Sequence, residues 1–324
     1  LPIFSWIAWT GDASTAFLQG QNADRTMPLF LRPPQDGLIS MTQHWSAPLY
    51  RVRGNVYGLA DAPVTWSKEV CRRLQSLGFT QHDFDRQLYL LRKDGQIIAA
   101  IIVYVDDFLG ISRSDHDLSS VHGLFKWGAL NYFQENKPIT FKGKELTLKR
   151  NEHQRFYLHI TLKKFLEGIE FGAIAKGRLQ GSPELSLDER KELRSICGCL
   201  QWAASQARPE IAATVSLSGH GEEAKITDLK QLHATLKYVK ETPQYGINIM
   251  DVPFTRDSVV LGYSDSSWAN ARKSGSQIGV LVGLTTPSVK TTMAPFTLLD
   301  WRSARSPRVC RSTLAAEATA ADEC

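Results

Sequence analysis

Residues 98–112 read Ile98-Ala99-Ala100-Ile101-Ile102-Val103-Tyr104-Val105-Asp106-Asp107-Phe108-Leu109-Gly110-Ile111-Ser112. An apolar, β-branched run stops at two adjacent carboxylates and then resumes. This predicts strand, tight turn, strand, with Asp106 and Asp107 at the turn. Neighbouring acids between core strands repel, and a bound divalent cation would offset them. Asp is also a common turn residue facing water. Both readings fit the stretch taken alone, so its surroundings have to separate them.

Immediately upstream, Asp83 to Tyr89 followed by Leu90 to Ile98 reads as a hairpin turning at Asp94-Gly95, and its return strand runs into Asp106. Before it, Pro63 suits the first turn of a helix with Trp66, Val70, Leu74 and Leu77 at helical spacing, stopped by Gly78. Near the start, Trp6 to Trp9 reads as a strand that meets Thr10-Gly11-Asp12. Asp12 is a second candidate metal ligand, or else an Asx-turn or capping residue. Asn22 to Gly37 reads as a loop.

Downstream, Leu118, Val121, Leu124 and Phe125 suggest a polar helix, and Ile139 to Leu148 a half-exposed hairpin. Leu187 to Leu217 reads as helix broken at Arg208-Pro209. Leu229, Leu232, Leu236 and Val239 mark a further amphipathic helix. Val259 to Asp265 reads as a buried strand ending in an acid, with partner strands at Ser274–Leu284 and Leu298–Trp301. Ser312-Thr313 caps a last helix of Ala and Thr in which Glu317 is the lone acid, either solvated or held at a close-packed surface.

The chain has 324 residues, enough for two or three domains, with 43% hydrophobic and 22% charged residues as in globular proteins. Its longest apolar run, Ile97 to Val105, is too short to span a bilayer, and no signal peptide is visible. The five cysteines form no C-x-x-C pair and no Cys/His cluster, which fits a reducing compartment and argues against structural zinc. The net charge is +5, unevenly spread: from Lys137 to Lys164 eight Lys and Arg face only Glu145 and Glu152, a local net of +6. With Phe141, Phe156 and Tyr157 interleaved, the segment suits a phosphate backbone, or simply a solvated face. Leu1 lies inside an apolar segment and Cys324 inside a helical pattern, so the chain reads as a fragment of a longer product.

In this order the pieces resemble the polymerase and ribonuclease H part of a copia-type (pseudovirus) LTR-retrotransposon polyprotein. Asp12-Ala13-Ser14-Thr15-Ala16-Phe17-Leu18-Gln19-Gly20 is similar to the first catalytic motif. Tyr57-Gly58-Leu59 with Ala62-Pro63 and Trp66 is similar to the second, and Tyr104-Val105-Asp106-Asp107 to the third. Phe141-Lys142-Gly143-Lys144-Glu145-Leu146 resembles the primer-gripping hairpin. Arg194 to Gly198, Leu200 and Arg208 to Ala212 match the helical segment that follows. Gly262-Tyr263-Ser264-Asp265 with Trp268-Ala269, and Ser312-Thr313 with Ala316-Glu317-Ala318, look like the first two acidic motifs of a retroelement ribonuclease H.

The resemblance implies an α+β chain in three parts. Residues 1–150 would be a right-hand polymerase palm, an antiparallel sheet with helices, and partial fingers. Residues 151–250 would be helical thumb or connection, and 251–324 an incomplete ribonuclease H-like α/β domain. It implies an RNA-directed DNA polymerase that uses Mg²⁺ or Mn²⁺, held by Asp12, Asp106 and Asp107, to extend a primer by two-metal nucleotidyl transfer. Asp12 and Asp106 would form the main pair and Asp107 the weaker ligand. Phe17 would be a steric gate against a 2′-hydroxyl, with Tyr57 and Gly58 shaping the nucleotide pocket. Phe141, Lys142, Gly143 and Lys144 would contact primer-template, and Asp265 and Glu317 would share metal for hydrolysis of an RNA strand. The implied partners are an RNA/DNA primer-template and deoxynucleoside triphosphates, with no membrane. The implied location is intracellular, in the nucleus or a cytoplasmic retroelement particle.

The match has departures. Ala60, Asp61 and Val64 stand where the family favours basic or amide residues, the family's basic fingers strands have no counterpart, and Asp322 is too close to Glu317 to be the later ribonuclease H acid. These favour a second reading, a decayed or domesticated fragment that binds nucleic acid without catalysis. A nuclease acting through Asp265 alone fits less well.

Overall fold

Leu dominates the segment before Asp94-Gly95 and Ile the segment after it, and in the computed structural model the two pair as expected. The structure describes residues 6–20, 27–32, 49–172, 174–175, 177–218, 224–253 and 255–324. The chain divides into two units, Pro2–Phe133 and Gln134–Cys324, the latter grouped with Leu1. The architecture is α+β with antiparallel sheets.

The first unit holds β1 (Trp6–Ala13), a short pair β2 (Leu29–Leu31) and β3 (Tyr50–Val52), α1 (Ala62–Ser76), β4 (Thr80–Gln81), β5 (Leu88–Lys93), β6 (Gln96–Tyr104), β7 (Asp107–Arg113), α2 (Ser119–His122) and β8 (Trp127–Tyr132). Six strands form one sheet in the order β4-β5-β6-β7-β1-β8. Asp94 (φ 50°) and Gly95 (φ 75°) both take left-handed backbone between β5 and β6, the conformation a two-residue hairpin turn of matching twist requires. Trp66, Val70 and Leu74, at helical spacing, form the buried stripe of α1. They share a core with Trp9, Tyr89, Ile101, Val103 and Phe108 from four strands of the sheet. At roughly 1.5–3 kcal/mol per fully buried side chain, this packing is what docks the helix.

Four local expectations need correction. The turn after β6 is Val105-Asp106, and Asp107 is already the first residue of β7. The helix expected around Leu118–Phe125 shrinks to the single turn of α2, and Trp127–Tyr132, not anticipated as a strand, pairs with β1. The hairpin strand starts at Leu88 rather than Asp83. Of the loop expected over 22–37, residues 29–31 form β2, while 22–26 and 33–37 lie outside the described residues.

The second unit opens with the expected hairpin, β9 (Pro138–Phe141) and β10 (Lys144–Arg150), turning at Lys142 (φ 54°) and Gly143 (φ 71°). β11 (Phe156–Thr161) and β12 (Ile247–Met250) extend it to a four-stranded sheet, β12-β11-β10-β9. Neither was anticipated. Between them run α3 (Lys163–Glu167), α4 (Leu187–Gln206), α5 (Ala212–Leu217) and α6 (Ile226–Glu241), packed around Leu193, Ile196, Leu200, Leu232 and Val239.

α4 starts on a capping box, Ser186 with Glu189, which satisfies two end donors reciprocally. It stops where Arg208-Pro209 predicted. Arg208 is fully buried; its guanidinium donates to Glu210, to the carbonyls of Val239 and Thr242, and to the Thr242 hydroxyl.

The last part is a three-stranded sheet, β13 (Val259–Ala271), β14 (Gly275–Thr285) and β15 (Phe296–Arg305), with α7 (Thr313–Asp322) against β13. Ser312 Oγ accepts from Ala315 N–H, as its capping position predicts. β13 runs past Asp265 instead of ending there, and Asp265 is exposed in mid-strand. No described helix is long and apolar enough to cross a membrane.

Candidate functional site

The register of the six-stranded sheet decides where the acids stand. β1 and β7 pair antiparallel with Asp12 opposite Asp107, and β6 and β7 pair with Tyr104 opposite Asp107. Directly opposed residues project to the same face. Trp9, Val103 and Phe108 have the other parity and are buried under α1, so Asp12, Tyr104 and Asp107 occupy the open face. Asp12 and Tyr104 are exposed, and Asp107 is half-buried.

Asp106 lies in the adjoining turn, where its carbonyl accepts from Ala13 N–H at 2.8 Å. The three acids therefore collect at one end of adjacent strands. The register places Asp12 against Asp107 rather than Asp106. Val105, the other turn residue, takes φ 58°, uncommon and strained for a β-branched residue. Its carbonyl accepts from the Trp66 indole N–H at 2.5 Å.

Beyond Ala13 the chain folds into a 3-10 turn, Ala16–Gln19. It sets the Phe17 ring 4.8 Å from that of Tyr57, tilted by 55°. Gly58 follows with φ 92° and leads into α1. The Gln19 amide fastens the turn, donating to the carbonyls of Ser14 and Lys126 and accepting from Lys126 N–H. Arg73 of α1 donates to the carbonyls of Gln19 and Leu124 and to the buried Glu69 carboxylate. Arg72 and Arg73 hold that carboxyl below its ordinary range against the opposing effect of burial. Behind Phe17 lies a cavity of about 160 Å³ lined by Trp66, Arg86, Tyr89, Val103 and Val105. Burial pushes the Tyr89 hydroxyl up to about 12.

In the second unit, Phe141 is buried, and Lys142 and Lys144 are half-buried at the hairpin. Lys144 donates to Gln206 at 3.2 Å, and burial together with the Lys142 charge lowers its pKa. Gly143 faces the Trp202 ring. Asp265 and Glu317 are both exposed, on β13 and α7.

Among the described residues, no three His, Cys, Asp or Glu side chains form a group that could hold a metal ion. Magnesium needs fewer protein ligands than that. It is usually bound by one or two carboxylates, with substrate phosphates and waters completing the shell. Two opposed carboxylates on an open sheet face fit that donor requirement.

Several residues of the site had no role assigned by sequence. Trp66 and Gln19 stand within the motifs, but their bonds to Val105 and Lys126 depend on tertiary contact. Glu69 and Arg73 carry no motif at all.

Residues 4–137 match the family described as reverse transcriptase (RNA-dependent DNA polymerase). Over those residues the chain is similar to the reverse transcriptase region of retrotransposon polyproteins. The chain is 28% identical over 294 residues to the retrovirus-related Pol polyprotein from transposon RE1 of Arabidopsis thaliana, a match covering 82% of the chain and 18% of that protein. The corresponding polyprotein from transposon RE2 is 28% identical over 299 residues, with the same coverage. A putative transposon Ty5-1 protein of Saccharomyces cerevisiae is 26% identical over 254 residues, covering 71% of the chain and 75% of that protein. The chain thus spans less than a fifth of the two plant polyproteins it matches. The matched residues 4–137 contain all three of Asp12, Asp106 and Asp107, together with Phe17, Tyr57 and Gly58.

Proposed function

We propose that this chain is the RNA-directed DNA polymerase part of a retroelement polyprotein, extending a primer by two-metal nucleotidyl transfer. The observation that carries the reading is the pairing of Asp12 with Asp107 on the open sheet face, with Asp106 in the turn beside them. The sheet is then the polymerase palm. Asp12 and Asp107, with Asp106, would hold Mg²⁺ or Mn²⁺. When bound, the metal ions lower the pKa of the primer hydroxyl and stabilise the developing charge on the leaving group. The chain's own residues orient the reactants. Phe17, in ring contact with Tyr57, would exclude a sugar 2′-hydroxyl. The hairpin bearing Lys142 and Lys144 would lie along the primer backbone, and the helices of 151–250 would serve as thumb or connection. β13–β15 and α7 would be the first part of a ribonuclease H-like domain, with Asp265 and Glu317 as its acids. Its partners would be an RNA/DNA primer-template and deoxynucleoside triphosphates.

The test is extension of a DNA primer on an RNA template by the full chain with Mg²⁺. Asp12→Asn and Asp106→Asn are expected to reduce extension to background while leaving near-ultraviolet circular dichroism intact. Unchanged extension by Asp106→Asn would sink the assignment. Binding of primer-template should weaken steeply with salt, and less steeply for Lys142→Ala/Lys144→Ala.

A further inference from the structure

The strand beside Asp12 is irregular at one residue. β8 pairs with β1 so that Asp12 is opposite Ala129 while Ala13 is opposite Trp127. Two steps on β8 therefore match one on β1, and Gly128 is the extra residue. This is a β-bulge, a feature that re-aims side chains next to functional sites. The three atoms nearest to a Cβ built on Gly128 all belong to Asp12: Oδ2 at 2.7 Å, the carbonyl oxygen at 3.7 Å and Cγ at 3.8 Å. Gly128 is exposed and its φ is not in the left-handed region. Neither backbone conformation nor core packing calls for glycine here. What calls for it is the carboxylate of Asp12, which lies over the bulge in the space any other residue's side chain would fill.

We infer that Gly128 is a positioning residue: it keeps open the space that lets the Asp12 carboxylate adopt its metal-binding orientation. The inference rests on the polymerase reading of Asp12. An added Cβ at 2.7 Å is closer than side chains tolerate. The group that must give way is the free end of a side chain, so the carboxylate swings aside at little cost to the fold. Substitution should separate stability from metal binding.

Mn²⁺ binding to the full chain, followed by electron paramagnetic resonance, tests this without relying on activity. Gly128→Ala is expected to weaken Mn²⁺ binding by about 10- to 100-fold, the range seen when groups that orient a ligand are altered. Asp12→Asn should lose the same component. Gly128→Ala added to Asp12→Asn should then cost nothing more, because one residue acts through the other. Wild-type Mn²⁺ affinity in a folded Gly128→Ala variant would overturn the inference, as would an equal further loss in the Asp12→Asn background. If Gly128→Ala fails to fold, Asp12→Ala/Gly128→Ala is the deciding variant. Recovery of its native circular dichroism supports the clash with the carboxylate, and continued misfolding overturns it. If Asp12→Asn binds Mn²⁺ as wild type does, the polymerase assignment of Asp12 fails and takes this inference with it. Loss in Asp12→Asn alone removes only the role of Gly128.

Discussion

The indole N–H of Trp66, buried on α1, donates to the carbonyl oxygen of Val105 at 2.5 Å, tying the helix to the turn between β6 and β7. The Ala13 N–H holds the next carbonyl, that of Asp106. The turn that carries an acid of the site is thus fixed from two sides, by a side chain and by a neighbouring strand. Val105 occupies left-handed backbone there, at a cost of roughly 1–2 kcal/mol for an L-residue. Trp66→Phe keeps the ring and removes the donor. It should destabilise the chain by about 0.5–1.5 kcal/mol, the net contribution of a typical hydrogen bond, and lower primer extension further than that loss of stability explains. Urea denaturation beside extension rates under native conditions checks both.

Val105→Gly should behave in the opposite sense on stability. Relief of the backbone strain, roughly 1–2 kcal/mol, exceeds the roughly 0.5–1 kcal/mol that glycine loses in chain entropy. The variant should be as stable as wild type or slightly more so, while extension falls because the turn is less restrained. A clear drop in the urea midpoint would show that the turn is not strained in solution.

Asp12 and Asp107 face each other across β1 and β7. Like charges directly opposed on a sheet are destabilising, by an amount on the order of 0.2–1 kcal/mol. Asp12→Asn should therefore raise the melting temperature at low salt while abolishing extension, the trade expected where a site is built against stability. Millimolar Mg²⁺ should raise the melting temperature of wild type and not that of Asp12→Asn, because only a state that binds the ion gains from it.

Much of this was legible because local chemistry and tertiary structure agree. Asp94-Gly95 and Lys142-Gly143 both turn where short-range rules place hairpins, and Ser186 and Ser312 cap the helices they precede. The first turn of α1 was equally readable from Pro63. β8 was not, since Gly128, Ala129 and Asn131 are poor strand formers, and the segment is a strand because β1 offers it an edge. β12 pairs with β11 across the intervening residues 162–246, a partnership no local pattern encodes. The same limit applies within the site. The acids could be found by type and spacing, but their register, and the roles of Trp66 and Gly128, follow from which strands become neighbours.

Phe17 rests against Tyr57 with ring centroids 4.8 Å apart. If Phe17 excludes a 2′-hydroxyl, Phe17→Val should raise ribonucleotide incorporation relative to deoxyribonucleotide by an order of magnitude or so; a loss of about 1.4 kcal/mol in discrimination corresponds to tenfold. Tyr57→Leu, which leaves the gate in place and removes its support, should raise it less. Equal discrimination in wild type and Phe17→Val, measured by single-nucleotide extension, would reject the gate.

Glu189 joins the Ser186 cap of α4 to Arg178, and its carboxyl falls from 4.5 to about 2, first through the Arg178 hydrogen bond and then through the Ser186 backbone N–H. A carboxyl whose pKa is lowered by folding stabilises the folded chain wherever the unfolded chain would bind the extra proton. The contribution is complete above pH 4.5 and is lost as the pH falls from there through about 2. Glu189→Gln should thus be less stable than wild type at neutral pH, and the difference should shrink on acidification across that window. Arg178→Met should reproduce most of the effect, since Arg178 is the larger cause. Thermal melts of the three proteins from neutral to acid pH decide it: parallel curves would mean that ionisation of Glu189 contributes nothing to folding, and convergence at low pH would assign the acid sensitivity of α4 to this carboxylate.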